Sequence, residues 1–555
     1  MQTLRLLGAA AAALAVSIAA FGFRLPTLGS LSNDHYLYMA WAQQLLIGDL
    51  PGRDFVDPGM PLAYSLSAAV QYAWPGPFSE GVLSIAMLAI AAAFTCLVVA
   101  DMSGSLVGGI SAALFQIALQ PRLYSYPKVL VPVVALWLLH RYVTRPGRGW
   151  LIAMAIWTVT GALLRYDLGL YAAAGLATGV LLAHWGEPKR MATAAGSYIL
   201  ALAAAALPYA LFVQLRQGIP SHLHETVEYT RNETHALDFP WPAFEALQPG
   251  ATGALTVADS ATFLFYAAYA LAIVPILLLL ATYKRQRRET VAVVVALSAM
   301  LTAYLILVLR YPIDTRIQDL SGVLTVAGGW TVVELCRIAR VSIAAGGPLR
   351  LAAAVSAAAM AILFTTAAAA SVSVLGKVGE QFRETRVTDG MNKVQERVAF
   401  IRESGTVWPW DRFWPAGPLP EAVRYLNACT DPLDRILLTW SAPEYYYFSR
   451  RGFAGGHAIP LPPRAFTSED DQRRMLDRIV SERVPLVLIN ETRAEQFATA
   501  YPLLDRYVRD HYTPAGGLTI RDGSEITIAI KKDVVATGQY GEASWPCVTS
   551  AAGRG

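Results

Sequence analysis

SNDHYLYMAWAQQLLIGDLPGRDFVDPGMPLAYSLSA, residues Ser32 to Ala68, is the stretch whose reading decides the rest of the chain. It follows directly on the first apolar segment. Its charges make burial in lipid costly, while its aromatic and aliphatic content is too high for a solvated linker. It is therefore expected to lie on a membrane surface. Its carboxylates Asp34, Asp49, Asp54 and Asp57 form the densest acidic cluster near any apolar segment.

The composition around this loop is that of a polytopic membrane protein. Of 555 residues, 55% are hydrophobic and 15% charged, with mean hydropathy +0.40, whereas soluble domains carry about 25% charge. The net charge of +4 is small, and the cations fall in short loops between apolar runs, so nucleic acid is not an expected partner. The four cysteines have no metal-ligand spacing. Cys96 and Cys336 lie in apolar segments. Cys429 and Cys547 share the polar C-terminal part, where a disulfide between them would suit an oxidising compartment and two free thiols are the alternative.

Apolar segments long enough, or nearly so, to cross ~30 Å of hydrocarbon recur at roughly 81 to 101, 104 to 120, 128 to 142, 150 to 164, 166 to 184, 192 to 214, 261 to 282, 291 to 309, 317 to 335 and 350 to 371. With Met1 to Phe23 this predicts about eleven spans. The first also fits a cleavable signal peptide, but its apolar run continues through Phe21, Phe23 and Leu25, which favours a retained anchor. Lys and Arg collect on the cytoplasmic side of short loops. With the N-terminus inside, the inner loops carry Arg141, Arg145 and Arg148, then Lys189 and Arg190, then Lys284, Arg285, Arg287 and Arg288, and finally Arg337, Arg340 and Arg350. An odd span number then places the C-terminal part outside. The expected organisation is a transmembrane domain over 1–372, with an outer loop at 24–80, followed by an extracytoplasmic α/β domain over 373–555. In that second domain Arg435 to Trp440, Pro485 to Asn490 and Ile526 to Lys531 read as strands and Ser468 to Arg483 as a helix.

At Asp34 the pattern becomes specific. Asn33-Asp34-His35-Tyr36, then Ala42-Gln-Gln-Leu-Leu-Ile-Gly48-Asp-Leu-Pro51, then Arg53-Asp54-Phe55-Val-Asp57-Pro58-Gly-Met-Pro61-Leu62 resembles the first outer loop of GT-C fold glycosyltransferases. The likeness is greatest to the protein O-mannosyltransferase and aminoarabinose transferase group, family 39. The resemblance implies a sugar taken from a polyprenyl-phosphate donor and an acid just after the first span as catalytic base. Many relatives have a second carboxylate next to the first; here His35 stands in that place, and a divalent metal ion stays open as a cofactor.

An inverting displacement needs a base within hydrogen-bond reach of the acceptor hydroxyl, worth ~10²–10⁴-fold in rate. Asp34 is the candidate; the structural alternative is an N-cap of a helix starting near His35. Asp54 and Asp57 are further catalytic candidates, orienting the acceptor or helping bind a cation, against a plain turn at Asp57-Pro58-Gly59. Departure of a lipid phosphate develops negative charge, so cations at membrane depth are required. Three sites offer them: Lys128 beside Tyr126, Arg165 with Asp167, and Arg310 with Asp314. Ionisable groups this close to hydrocarbon default to functional candidates. The element Arg165-x-Asp167-x-Gly169 also looks like one in bacterial family 39 relatives, with a local ion pair closing a hairpin as the alternative. Lys128 and Arg310 could instead snorkel to headgroups.

His222, His224, Glu225, Glu228 and His235 follow in a long outer loop, where a zinc or manganese site competes with an amphipathic surface helix. Glu444-Tyr-Tyr-Tyr447-Phe-Ser-Arg450-Arg451, just past a strand, fits either acceptor recognition or plain core.

The expected function is a glycosyltransferase that moves a sugar from a polyprenyl-phosphate donor to a hydroxyl of a glycan, lipid or protein acceptor. It would act with inversion at the outer face of a bacterial-type cytoplasmic membrane. The rivals are a transporter or flippase of a lipid-linked saccharide, which would place its charges inside spans and break helices at mid-membrane, and a non-catalytic scaffold.

Overall fold

The structure, a computed structural model, describes residues 2–25, 33–119, 126–234, 240–242, 257–310, 312, 314–345, 395–396, 399, 418–458, 467–519 and 523–549. In chain order the helices are α1 (Gln2–Arg24), α2 (Asn33–Leu46), α3 (Pro61–Ala73), α4 (Pro77–Ser103), α5 (Leu106–Ala118), α6 (Tyr126–Thr144), α7 (Arg148–Leu164), α8 (Tyr166–Ala183), α9 (Pro188–Arg216), α10 (Ile219–Thr234), α11 (Val257–Thr282), α12 (Arg288–Arg310) and α13 (Ser321–Ala345). A mixed region follows: α14 (Pro418–Cys429), β1 (Arg435–Leu438), α15 (Pro443–Ser449), β2 (Gly452–Phe453), α16 (Glu469–Ser481), β3 (Leu486–Asn490), α17 (Ala494–Ala500), α18 (Pro502–His511), β4 (Tyr512–Thr519), β5 (Glu525–Lys531), β6 (Gly538–Tyr540) and β7 (Trp545–Cys547).

Two compact units result. One holds Met1–Ser30, Gly81–Tyr209 and Asp238–Gln395, the other Leu31–Glu80, Ala210–Leu237 and Glu396–Gly555. The first unit is a bundle of apolar helices. Among the described residues, seven helices are long and apolar enough to cross a membrane, and Leu106–Ala118 and Arg148–Leu164 are shorter apolar helices. The expected span at 128 to 142 is a helix of 19 residues; the one at 350 to 371, and the domain boundary at 372, lie outside the described residues. Large side chains point outward from these helices: Leu170 is 68% exposed, Leu200 72% and Leu280 67%. Water would not tolerate such a surface, but hydrocarbon does. This is a polytopic α-helical membrane protein.

Close helix packing in this unit depends on small residues. A Cβ at Gly169 would stand 2.6 Å from the backbone of Ala162, so only glycine lets α8 fold back against α7. Gly322 has the same role in α13, where a Cβ would meet the Val129 carbonyl at 2.6 Å.

The second unit is built on a five-stranded mixed sheet in the order β2-β1-β3-β5-β4. β1 runs parallel to β2 and β3, whereas β5 is antiparallel to both β3 and β4. The predicted strands and helix are found within one or two residues, and Ser468 caps α16 by accepting from the Asp471 N–H. β4, which the sequence reading did not single out, carries Pro514, Gly516 and Gly517, residues unusual within a strand. It forms a strand because it lies at the sheet edge and its register shifts between Pro514 and Gly516. Cys429 and Cys547 are joined in a disulfide across 118 residues, so the bridge, rather than two free thiols, is the outcome.

The opening loop, grouped with the spans in the sequence reading, shares its core with this sheet. Trp41, Phe55 and Tyr64 pack with Tyr446, Phe453, Leu486 and Ile528 in one buried cluster. Phe55 meets Phe453 edge-on at 6.0 Å, and the Val56 N–H donates to the Gly456 carbonyl at 3.0 Å. Burial of each such side chain is worth about 1.5–3 kcal/mol.

Candidate functional site

Within the loop, the backbone sorts the four acids. α2 ends where Gly48 takes φ +97°, a left-handed conformation that glycine adopts without a Cβ clash. The chain turns there and buries Asp49, which is only 9% exposed. Asp49 accepts from Arg435 at 2.7 and 2.8 Å, and Arg435 also reaches Gln44 at 3.1 Å and Glu482 at 3.6 Å. Burial raises the Asp49 pKa, with the Arg435 hydrogen bond opposing. Asp49 is thus a buried partner of Arg435, whose position in β1 is not visible from the sequence of the loop.

Asp54 accepts from the Leu50 N–H at 2.8 Å and from Arg53 at 2.5 to 2.9 Å. Burial works to raise its pKa, but these bonds outweigh it and hold Asp54 below the usual carboxylate range. Asp57 accepts from the N–H groups of Gly59 at 2.8 Å and Met60 at 3.3 Å, the turn that delivers Pro61 to the first position of α3.

Asp34 differs from all three. It lies inside the first turn of α2, which begins at Asn33, rather than ahead of the helix as an N-cap would. It is half-buried. Among the described residues, no hydrogen bond or ion pair engages its carboxylate. His35 beside it is buried, with Nδ1 3.7 Å from Glu80 Oε1.

The first unit gathers the cations. Lys128, 9% exposed in the first turn of α6, donates to Asp319 Oδ2 at 2.8 Å. Asp319 belongs to the 3-10 helix Asp314–Leu320 that leads into α13, and the Gly322 contact with Val129 brings that end of α13 against α6. Two residues before Lys128, the Tyr126 hydroxyl accepts from Arg24 Nε at 2.8 Å, and the guanidinium also lies 5.9 Å from the Tyr126 ring centroid. Arg24 is 6% exposed. Arg165 forms the junction of α7 and α8 in extended backbone and grips Asp167 with two bonds, at 2.6 and 2.5 Å. That is the hairpin-closing pair, and Gly169 supplies the close approach it needs. Arg310 ends α12 and Asp314 opens the 3-10 helix; the side chains of both lie outside the described residues.

Arg24 and Asp319 are the residues that sequence reading passed over as site candidates. The signal for Arg24 was present: a lone cation between Phe23 and Leu25 closing an apolar run. Asp319 gave less, being one of several charges ahead of an apolar segment, 191 positions from its partner.

Among the described residues, no group of three or more His, Cys, Asp or Glu could hold a metal ion. His222 faces Gln217 at 3.3 Å, and Gln217 bonds Glu225 at 2.5 Å, in and beside α10. The side chain of Glu228 and all of His235 lie outside the described residues. In the segment at 444 to 451, Tyr445, Tyr446 and Phe448 are core, and Arg451 binds the carbonyls of Thr430 and Ser449 at 2.8 and 3.0 Å. Burial pushes the Glu444 carboxyl up from the usual 4.5 to about 7.

No family model matches the chain, and no curated protein matches it. Among solved structures it is similar to ArnT from Cupriavidus metallidurans bound to undecaprenyl phosphate. The identity is 12%, the coverage 96% of this chain and 99% of that one, and the TM-score 0.48.

Proposed function

We propose that the chain is a GT-C type membrane glycosyltransferase that transfers a sugar from a polyprenyl-phosphate donor to an acceptor hydroxyl at the outer face of the membrane. The observation that carries this reading is the sorting of the loop acids. Asp49, Asp54 and Asp57 are spent on Arg435, Arg53 and backbone N–H groups, whereas Asp34, in the position where the sequence pattern puts a base, is half-buried with no described partner. A carboxylate acting as base must keep its lone pairs for the reacting proton, and of the four only Asp34 does.

The reaction is a single displacement. The acceptor oxygen bonds to the anomeric carbon as the bond from that carbon to the phosphate oxygen breaks; the acceptor proton goes to Asp34, and the bond pair leaves with polyprenyl phosphate. One displacement inverts the anomeric configuration. Asp54 and Asp57 hold the loop that presents Asp34. Arg24, Lys128, Arg165 and Arg310 are the cations assigned to the leaving phosphate, with Tyr126 and Asp167 holding Arg24 and Arg165 in place and Asp314 as a further polar group near Arg310 in the sequence. What supports that assignment is that Lys128 and Arg165 are ionisable groups at the ends of apolar helices, where such groups default to functional candidates. The disulfide supports an oxidising, extracytoplasmic location for the second unit.

Asp34→Asn in protein reconstituted with polyprenyl-phosphate sugar is expected to lose transfer by at least ~10²-fold, with folded protein unchanged. Transfer at the wild-type rate in that variant would remove Asp34 as base.

A further inference from the structure

The α8–α9 and α11–α12 links meet at one end of the first unit. Arg288, which opens α12, donates from Nη2 to the Trp185 carbonyl, and its Nη1 lies 3.8 Å from Glu187 Oε1. Arg190 donates to the other Glu187 oxygen at 2.7 Å. Gly175 permits the meeting: a Cβ there would stand 3.0 Å from the Ala296 carbonyl, so α8 and α12 lie close enough for their ends to touch.

Charge at this end is one-sided. Lys189, Arg190, Lys284, Arg285, Arg287 and Arg288 stand against two acids, Glu187 and Glu289, and the surplus of four equals the net charge of the whole chain. Among the described residues, no hydrogen bond or ion pair engages the exposed side chains of Lys189, Lys284, Arg285 and Arg287. Lys189 and Arg190 occupy the first turn of α9, which holds no acid, so they run against the helix dipole and do not stabilise the helix. In the same two links two rings are turned outward, Trp185 at 72% and Tyr283 at 62% exposure. Leu181 and Leu280, about a turn from those rings, are exposed as well. Cations, then aromatic rings, then aliphatic side chains is the order in which a bilayer passes from headgroup to hydrocarbon. Membrane sidedness accounts for cations in such links, but not for a hydrogen bond that gathers two of the links across 103 residues.

We propose that this end of the bundle is a binding site for an anionic phospholipid of the adjoining leaflet. The lipid phosphodiester takes the unpaired cations in charge-assisted bonds, Trp185 and Tyr283 flank the headgroup at interface depth, and acyl chains meet Leu181 and Leu280. A soluble phosphate would use the cations alone and leave the rings and aliphatic side chains without a role, which is why a lipid is the occupant. This binding does not depend on the transferase reading.

The test counts bound lipid by native mass spectrometry on full-length protein in neutral detergent, titrated with phosphatidylglycerol, phosphatidylcholine and glycerol 3-phosphate. Phosphatidylglycerol is expected to bind about tenfold more tightly than either of the others. Arg285→Gln with Arg287→Gln should erase that advantage, with unfolding temperature unchanged because both side chains are exposed and unpaired among the described residues. Arg145→Gln with Arg148→Gln removes the same charge from exposed side chains at the α6–α7 link and should leave the advantage intact. Trp185→Ala should weaken both lipids alike, while its carbonyl still holds Arg288. Equal affinity for the two lipids, or an advantage that survives the loss of Arg285 and Arg287, would overturn the proposal. So would an equal fall in both double variants, which would reduce the preference to diffuse charge. Glycerol 3-phosphate binding as tightly as the lipid would also overturn it, by making the ligand a soluble phosphate.

Discussion

Asp54 and Asp57 of the opening loop and the buried Lys128 of the apolar helix bundle satisfy their charges in opposite ways. In the loop, Asp54 finds Arg53 and the Leu50 N–H, and Asp57 finds the N–H groups two and three residues on. In the bundle, Lys128 is matched by Asp319 from 191 residues away. Irregular backbone has N–H groups to spare, and a carboxylate nearby takes them. Inside a helix the backbone carbonyls that could take an ammonium are already committed, so buried Lys128 must recruit another side chain, and the fold must deliver it. Asp49 is the loop's exception, buried and therefore paired across 386 residues with Arg435. Burial, not chain neighbourhood, sets how far a charge must reach.

The largest test of this contrast is Lys128→Met. Stranding Asp319 should cost about 3–5 kcal/mol, read as a large fall in unfolding temperature in detergent, and adding Asp319→Leu should restore most of it. A small loss in the single variant would break the contrast. Asp57→Ala, which leaves two backbone N–H groups to water, should cost about 1 kcal/mol by the same measurement. A larger loss would mean that the loop too depends on distant partners.

The contrast also sets what could be read from the chain. Asp57-Pro58-Gly59 signals a turn by local rules, and Arg165-x-Asp167 a short pair between two apolar runs; each stood as the alternative to a functional role, and the turn and the pair both form. The strands at Arg435, Pro485 and Ile526 were legible because alternation and apolar runs are local too. The Lys128 to Asp319 contact was not, since it depends on Gly322 letting α13 approach α6. Nor was the Arg435 contact that buries Asp49, or the packing of Phe55 and Tyr64 with the sheet, which requires the fold of residues 400 positions later. β4 escaped for a different reason: its Pro and glycines obey edge-strand rules that a single sequence cannot locate at an edge.

A smaller effect is expected at Glu444. Its folded pKa of about 7 lies above the usual 4.5, so the folded state holds the proton more tightly. The resulting cost is absent below pH 4.5, grows between 4.5 and 7, and is full above that. Glu444→Gln should therefore raise the unfolding temperature by a few degrees, about 2–4 °C, at pH 8 and leave it unchanged at pH 4. The same shift at both values would mean that Glu444 is not the titrating group. Smallest of all is Arg53→Ala, at an exposed side chain whose pair with Asp54 is open to water. No shift in unfolding temperature is expected, because exposed pairs contribute little.

The central claim is that three loop acids are structural and one is chemical. A single assay compares them: sugar transfer from polyprenyl-phosphate donor by Asp34→Asn, Asp49→Asn, Asp54→Asn and Asp57→Asn proteins, each normalised to folded protein. The account predicts that Asp34→Asn alone abolishes transfer without loss of fold, while the other three lower activity only as far as they lower stability. Retained transfer in Asp34→Asn, or equal loss in Asp57→Asn with its stability intact, would contradict it.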